Sequence, residues 1–124
     1  MPQMIGGISH IDKAELHALL QDPANETVVI DVREPFEYEA AHIPGVPLIP
    51  MGEIPYRLEE LDPEQEYVLV CRSGSRSYEV ARYLQAQGFE RVHNFLGGML
   101  GWDLEVRPGR GTIPLVKKTK GNRI

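Results

Sequence analysis

Two short runs constrain this chain more than any other feature: TVVIDV at residues 27–32 and YVLV at residues 67–70. Both are β-branched or apolar with almost no polar break. That pattern belongs to strands covered on both faces, as in a parallel sheet. Parallel neighbours need long crossovers, usually helices, and helix signals lie between the runs. In IDKAEL, Asp12 can cap a helix, Glu15 follows three residues later, and Ile11 can staple onto Leu16. Leu16, Leu19 and Leu20 then share one face. Pro35 suits the first turn of a short helix running to about Ala41. Residues 75–87 read as a helix with Val80, Ala81 and Leu84 in one stripe and Gly88 as its stop. Short strands are expected at residues 46–49 and 92–95, and a weaker helical segment at residues 51–61, where Pro55 interferes. The sum is an α/β fold: a small, mostly parallel sheet flanked by helices.

The 124 residues fit one domain of ordinary size. The segment 1–105 reads as that domain and 106–124 as a basic C-terminal extension, packed on it or extending from it. Charge marks the boundary. All 18 acidic residues lie at or before Glu105, with seven of the 13 basic ones, which leaves the body at −11. The extension has six basic residues and no acid, so it carries +6. An acidic body disfavours nucleic acid as a general partner. Ile113, Leu115 and Val116 favour an extension that lies back on the body over one that docks an acidic sulfur-acceptor protein or RNA. No apolar run reaches the ~20 residues of a membrane span. The N-terminus shows no signal peptide, and a chain relying on one free thiol suits a reducing compartment, so a cytoplasmic location is expected.

That thiol is Cys71, the only cysteine, in VCRSGSRS. It falls just past the end of the second apolar run, and ligands in parallel α/β sheets bind outside the carboxyl ends of strands. A lone cysteine is commonly a small core residue. Here the surroundings point to a nucleophile. A helix N-terminus and nearby cations lower a thiol's pKa, and the loop into the helix offers both. Backbone N–H groups from Arg72 to Ser77 can converge as an anion-holding nest, Gly74 permits the turn, Arg72 and Arg76 add charge, and Ser73, Ser75 and Ser77 add hydroxyls or a helix cap. His10, His17, His42 and His93 show no zinc-site spacing with the cysteine, so no metal is expected. Neither is a cofactor. Two anion chemistries remain, phosphoryl transfer and sulfur transfer. The spacing from Cys71 to Arg76 is C-x4-R, one residue shorter than the C-x5-R of cysteine phosphatases, and the tighter ring favours a smaller group such as an outer sulfur.

CRSGSRS resembles the active-site loop of rhodanese-like sulfurtransferases. IDVREPFEYEAAHIPGV resembles the segment on that family's first long strand, and NFLGGMLGW its glycine-glycine-tryptophan stretch. The three stand in the family's order. The resemblance implies a single rhodanese domain and a double displacement: Cys71 takes the outer sulfur of a small anionic donor such as thiosulfate, and cyanide or a thiol, for example on a thioredoxin-like protein, removes it. It implies that the backbone of residues 72–77 holds the persulfide and that Arg76 organises the loop by binding neighbouring carbonyls or carboxylates. Arg72 would face the pocket mouth or solvent. Asp31 and Arg33 end the neighbouring strand and could line the pocket or pair with each other; Asp31 reads as structural, Arg33 as either. Trp102 reads as core packing. The alternatives are a non-catalytic rhodanese-like binding or regulatory module and, behind it, a small cysteine phosphatase or arsenate reductase. After H-I-P-G the chain departs from the family with Val46-Pro47-Leu48.

Overall fold

The structure is a computed structural model, and it describes residues 2–110. Strands β1 (Gln3–Ile5), β2 (Ile8–Ile11), β3 (Val28–Asp31), β4 (Tyr67–Val70) and β5 (Val92–Phe95) form one sheet in the order β1-β2-β5-β4-β3. All pairings are parallel except the β1–β2 hairpin at the edge. The helices are α1 (Lys13–Gln21), α2 (Pro35–Ala40) and α3 (Ser75–Ala86). The fold is thus the small, mostly parallel α/β sheet expected of a rhodanese-like domain.

Each helix starts where its sequence dictates. Asp12 caps α1 by accepting from the Glu15 N–H at 2.8 Å, and Glu15 returns a bond to the Asp12 N–H at 2.9 Å. Ile11 and Leu16 join the same buried cluster. Pro35 opens α2 in the first turn, where its missing N–H costs nothing.

Strand alternation sorts the core into two layers. Ile8, Ile30, Leu69 and Cys71 face α3, together with Val80, Ala81 and Leu84 of that helix. Ile11, Val29, Val68, Val70 and Phe95 face the other side, against Leu16 of α1. Trp102 packs there edge-on to Phe95, ring centroids 5.9 Å apart. Full burial of one such aliphatic side chain contributes about 1.5–3 kcal/mol, so each layer is held by several large increments.

Three expectations differ from the structure. Residues 46–49 make only an isolated bridge, Asp31 to Leu48, because Pro47 and Pro50 lack the N–H groups a ladder needs. The segment after them forms two 3-10 turns, Met51–Tyr56 and Leu58–Glu60, with Pro55 inside the first. The β1–β2 hairpin was not expected; its strands are short, and Gly6 and Gly7 turn it with φ of +61° and +79°.

Beyond residue 105, Arg107 and Gly109 bond back to the body. His42 and Arg107 exchange both backbone bonds, at 2.9 and 2.8 Å, and the Gly109 N–H donates to the Glu39 carbonyl at 2.8 Å. The rest of the extension, with Ile113, Leu115 and Val116, lies outside the described residues.

Candidate active site

Cys71 directly follows β4 and shares the α3 side of the sheet with Leu69, so its thiol emerges beneath the first turn of α3. It has no exposed surface. The loop around it is shaped from below. The carbonyls of Cys71 and Arg72 accept from the N–H groups of Met99 and Leu100 at 2.8 and 2.9 Å, at the 3-10 turn Gly98–Gly101. With these carbonyls turned down, the N–H groups that follow face the sulfur. The Gly74 N–H donates to Sγ at 3.0 Å and the Ser77 hydroxyl approaches it at 3.2 Å. Gly74 is the N-cap of α3 at φ +100°, where a side chain would be strained.

Burial is the strongest influence on the Cys71 thiol and pushes its pKa up. The Ser77 hydroxyl, then the N–H groups of Ser77, Gly74 and Ser73, act against burial and together outweigh it. The net shift is downward, toward the thiolate that serves as nucleophile.

The other expected site residues separate into three groups. Ser77 is fully buried and touches the sulfur. Ser73 and Ser75 are exposed and bond to one another at 3.1 Å; neither caps the helix, whose cap is Gly74. Arg72 is exposed at the mouth of the loop. Arg76 grips Glu37 of α2 with two bonds, at 2.8 and 2.9 Å. Asp31 and Arg33 are buried and paired, with Arg33 Nη2 at 2.8 Å from Asp31 Oδ2. The same guanidinium donates to the Ala41 and Glu37 carbonyls at 2.8 and 3.4 Å, so it anchors the far end of α2. His42 stacks on Tyr38 and bonds its carbonyl through Nδ1 at 2.9 Å.

Sequence reasoning missed three residues here. Glu37 looked like one more helix carboxylate. Asn94 and His10 sit in short strands, and only the parallel register of β2 with β5 brings them together beneath the loop. Among the described residues, no group of three or more His, Cys, Asp or Glu side chains could hold a metal ion.

The Arg76–Glu37 pair makes stability pH-dependent. The Arg76 guanidinium, ahead of the opposing effect of burial, holds the Glu37 pKa down from 4.5 to about 2. A carboxylate depressed by folding contributes its full stability above the unfolded value of 4.5 and loses it as pH falls through about 2. Arg76 is a third exposed, so the contribution is screened to about 1–2 kcal/mol. Urea midpoints should therefore fall between pH 5 and pH 2 by less in Glu37→Gln than in wild type. Parallel acid dependences in the two proteins would remove this role.

A buried cysteine thus directly follows a central parallel strand of an α/β domain, with the Gly74 N–H and the Ser77 hydroxyl on its sulfur. The family model of the Rhodanese-like domain matches residues 12–105. The chain belongs to that family. Rhodanese-like/PpiC domain-containing protein 12, chloroplastic, of Arabidopsis thaliana is 39% identical over 107 residues, covering 82% of this chain and 36% of the plant protein. This chain thus spans about a third of that relative's length. Thiosulfate sulfurtransferase GlpE of Pseudoalteromonas translucida is 35% identical over 94 residues, covering 76% of this chain and 88% of that protein. Among solved structures, the rhodanese-like domain protein from Staphylococcus aureus superposes with a TM-score of 0.73 at 34% identity, covering 80% of this chain and 96% of the other. No helix among the described residues is long and apolar enough to cross a membrane.

Proposed function

We propose that this domain is a sulfurtransferase that carries sulfane sulfur on Cys71, from thiosulfate or another small persulfide-type donor to a thiol or cyanide. The observation that carries this reading is the set of donors on Sγ: Gly74 N–H at 3.0 Å and Ser77 hydroxyl at 3.2 Å, in a four-residue spacing to Arg76. The Cys71 thiolate attacks the outer sulfur of thiosulfate, the S–S bond of the donor breaks with its electron pair, and sulfite leaves. Cys71 then bears a terminal sulfur with one negative charge. The loop N–H groups stabilise that charge, as they do the resting thiolate. An acceptor nucleophile attacks the terminal sulfur and returns Cys71 to thiolate. Arg72, exposed beside this path, draws in the dianion. Donor and acceptor both approach from outside, and a reducing compartment such as the cytoplasm keeps the resting thiol free.

Mass spectrometry after incubation with thiosulfate tests the reading. Wild type gains one sulfur, ~32 Da, which cyanide or a dithiol removes. Cys71→Ser gains none. An unmodified wild type, or an adduct that survives in Cys71→Ser, would overturn it.

A further inference from the structure

The Ser77 hydroxyl has one hydrogen and two acceptors. Cys71 Sγ lies 3.2 Å away, and Asn94 Oδ1 is in closer hydrogen-bond contact. A hydroxyl cannot serve both at full strength. The orientation of Asn94 is set by its other end. Nδ2 donates to the Gly74 carbonyl at 3.0 Å, and that carbonyl can only accept. Nδ2 therefore also donates to His10 Nδ1 at 3.2 Å, which leaves the imidazole hydrogen on His10 Nε2, a buried atom without a hydrogen-bond partner. Asn94 is 1% exposed, Ser77 is fully buried, and His10 is 5% exposed and stacked on Tyr78, so no bulk solvent competes for these bonds.

We infer that Asn94 is a positioning residue for sulfur transfer: its Oδ1 holds the Ser77 hydrogen whenever Cys71 Sγ is uncharged and yields it whenever Sγ is a thiolate. This rests on the sulfur-carrier reading above and adds a moving part to it. In the resting thiolate the Ser77 hydrogen points to Sγ. When Sγ attacks the donor, the S–S bond forms, sulfite departs with the electron pair of the broken bond, and the negative charge moves to the outer sulfur. Sγ is then a poor acceptor, and the Ser77 hydrogen turns to Asn94 Oδ1. When the acceptor removes the outer sulfur, the charge returns to Sγ and the hydrogen turns back. No proton leaves Ser77 in either direction. The buried oxygen of Asn94 supplies a bond that would otherwise be missing in the persulfide state, where an unsatisfied buried hydroxyl would be costly.

The test uses two substitutions at one position and reads the resting thiol, so it does not depend on any donor. Asn94→Leu and Asn94→Asp both remove the bond to the Gly74 carbonyl. If Asn94 only pins the loop, Asn94→Leu moves the thiolate titration, followed by ultraviolet absorbance, equally with and without Ser77→Ala. If Asn94 competes for the Ser77 hydrogen, the shift from Asn94→Leu depends on Ser77. Asn94→Leu frees the hydroxyl for Sγ and raises the thiolate fraction at a given pH roughly twofold to tenfold, the worth of one hydrogen bond. Asn94→Asp holds the hydrogen more strongly, repels the thiolate and lowers that fraction. Adding Ser77→Ala to Asn94→Leu abolishes the gain. The other charged or titratable groups around the loop, Arg72 on the loop itself, Arg76 with its partner Glu37 on α2 and His10 on β2, keep their residue types in all these proteins, and both substitutions at 94 remove the same donor from His10 Nδ1. A fall in the thiolate fraction in Asn94→Leu, or a rise that persists when Ser77→Ala is added, overturns the inference. Should these variants not fold, the Asn94 side-chain carbonyl carbon in wild type is followed by nuclear magnetic resonance: it shifts on passing from thiolate to persulfide, and an unmoved signal overturns the inference. A wild type that takes no sulfur from thiosulfate defeats the function proposed above, while the titration still decides the role of Asn94.

Discussion

Gly98→Ala is expected to abolish sulfur loading of Cys71 and to destabilise the domain by roughly 2–5 kcal/mol, about 1–2 from the left-handed backbone and the rest from overpacking. Gly98 holds φ at +57° directly beneath the Cys71 loop. An added Cβ would stand 2.5 Å from the Cys71 carbonyl oxygen and 2.6 Å from that of Arg72. Neither atom can give way cheaply. Both are backbone, and both are bonded to the N–H groups of Met99 and Leu100. The loop would have to lift, and the N–H groups that depend on those turned-down carbonyls would lose their aim at the sulfur. Gly97 is the control. It also has a positive φ, +86°, but a Cβ there meets nothing within 4 Å. Gly97→Ala should cost only the backbone strain and keep most of the sulfur loading. The adduct yield after thiosulfate and a urea melt on each variant give the answer, and similar behaviour of the two alanines would show that the loop does not rest on Gly98.

Asp31→Ala should cost about 3–5 kcal/mol, because it strands a buried guanidinium. The side chains of Asp31 and Arg33 are 1% and 7% exposed, and Asp31 also accepts from the Arg33 N–H at 3.0 Å. The loss should be far larger than the sum of surface effects, and partly recovered in a double variant, Asp31→Leu with Arg33→Met, which removes both charges at once. Recovery should be incomplete. Arg33 also ties down the Ala41 and Glu37 carbonyls, and no apolar side chain does that. The activity of the double variant then tells whether α2 still presents Glu37 to Arg76. A double variant less stable than Asp31→Ala alone would contradict the stranded-charge account.

The parts of this fold that could be read in advance are those whose physics is local. TVVIDV and YVLV are continuous apolar runs, and they form β3 and β4 within a residue or two at each end. The Asp12–Glu15 box starts α1 where its residue types require. Cys71 and its loop stood out because a thiol, a glycine and two arginines fell between a strand and a helix. What stayed hidden depends on register. His10 and Asn94 are separated by most of the chain, and nothing in ISHI or VHNF tells which side chains will face each other across a parallel ladder. Glu37 is similar: one of several acids near α2, distinguished only by the 2.8 Å contact it makes with Arg76. Proline explains the remaining differences, since Pro47, Pro50 and Pro55 each replaced a regular element with a bridge or a 3-10 turn.

The strand order has a consequence in time. β5 is the last strand among the described residues, yet it lies in the middle of the sheet, between β2 and β4. Until it arrives, the chain can form a hairpin at one end and a β3–β4 pair at the other, with nothing joining them. The residues that shape the space under the cysteine, Asn94 and Gly98, belong to that strand and the turn after it. The loop that carries the thiol is therefore synthesised well before its supports. In a growing or partly folded chain Cys71 therefore stands without Asn94 and Gly98 beneath it until β5 closes the sheet.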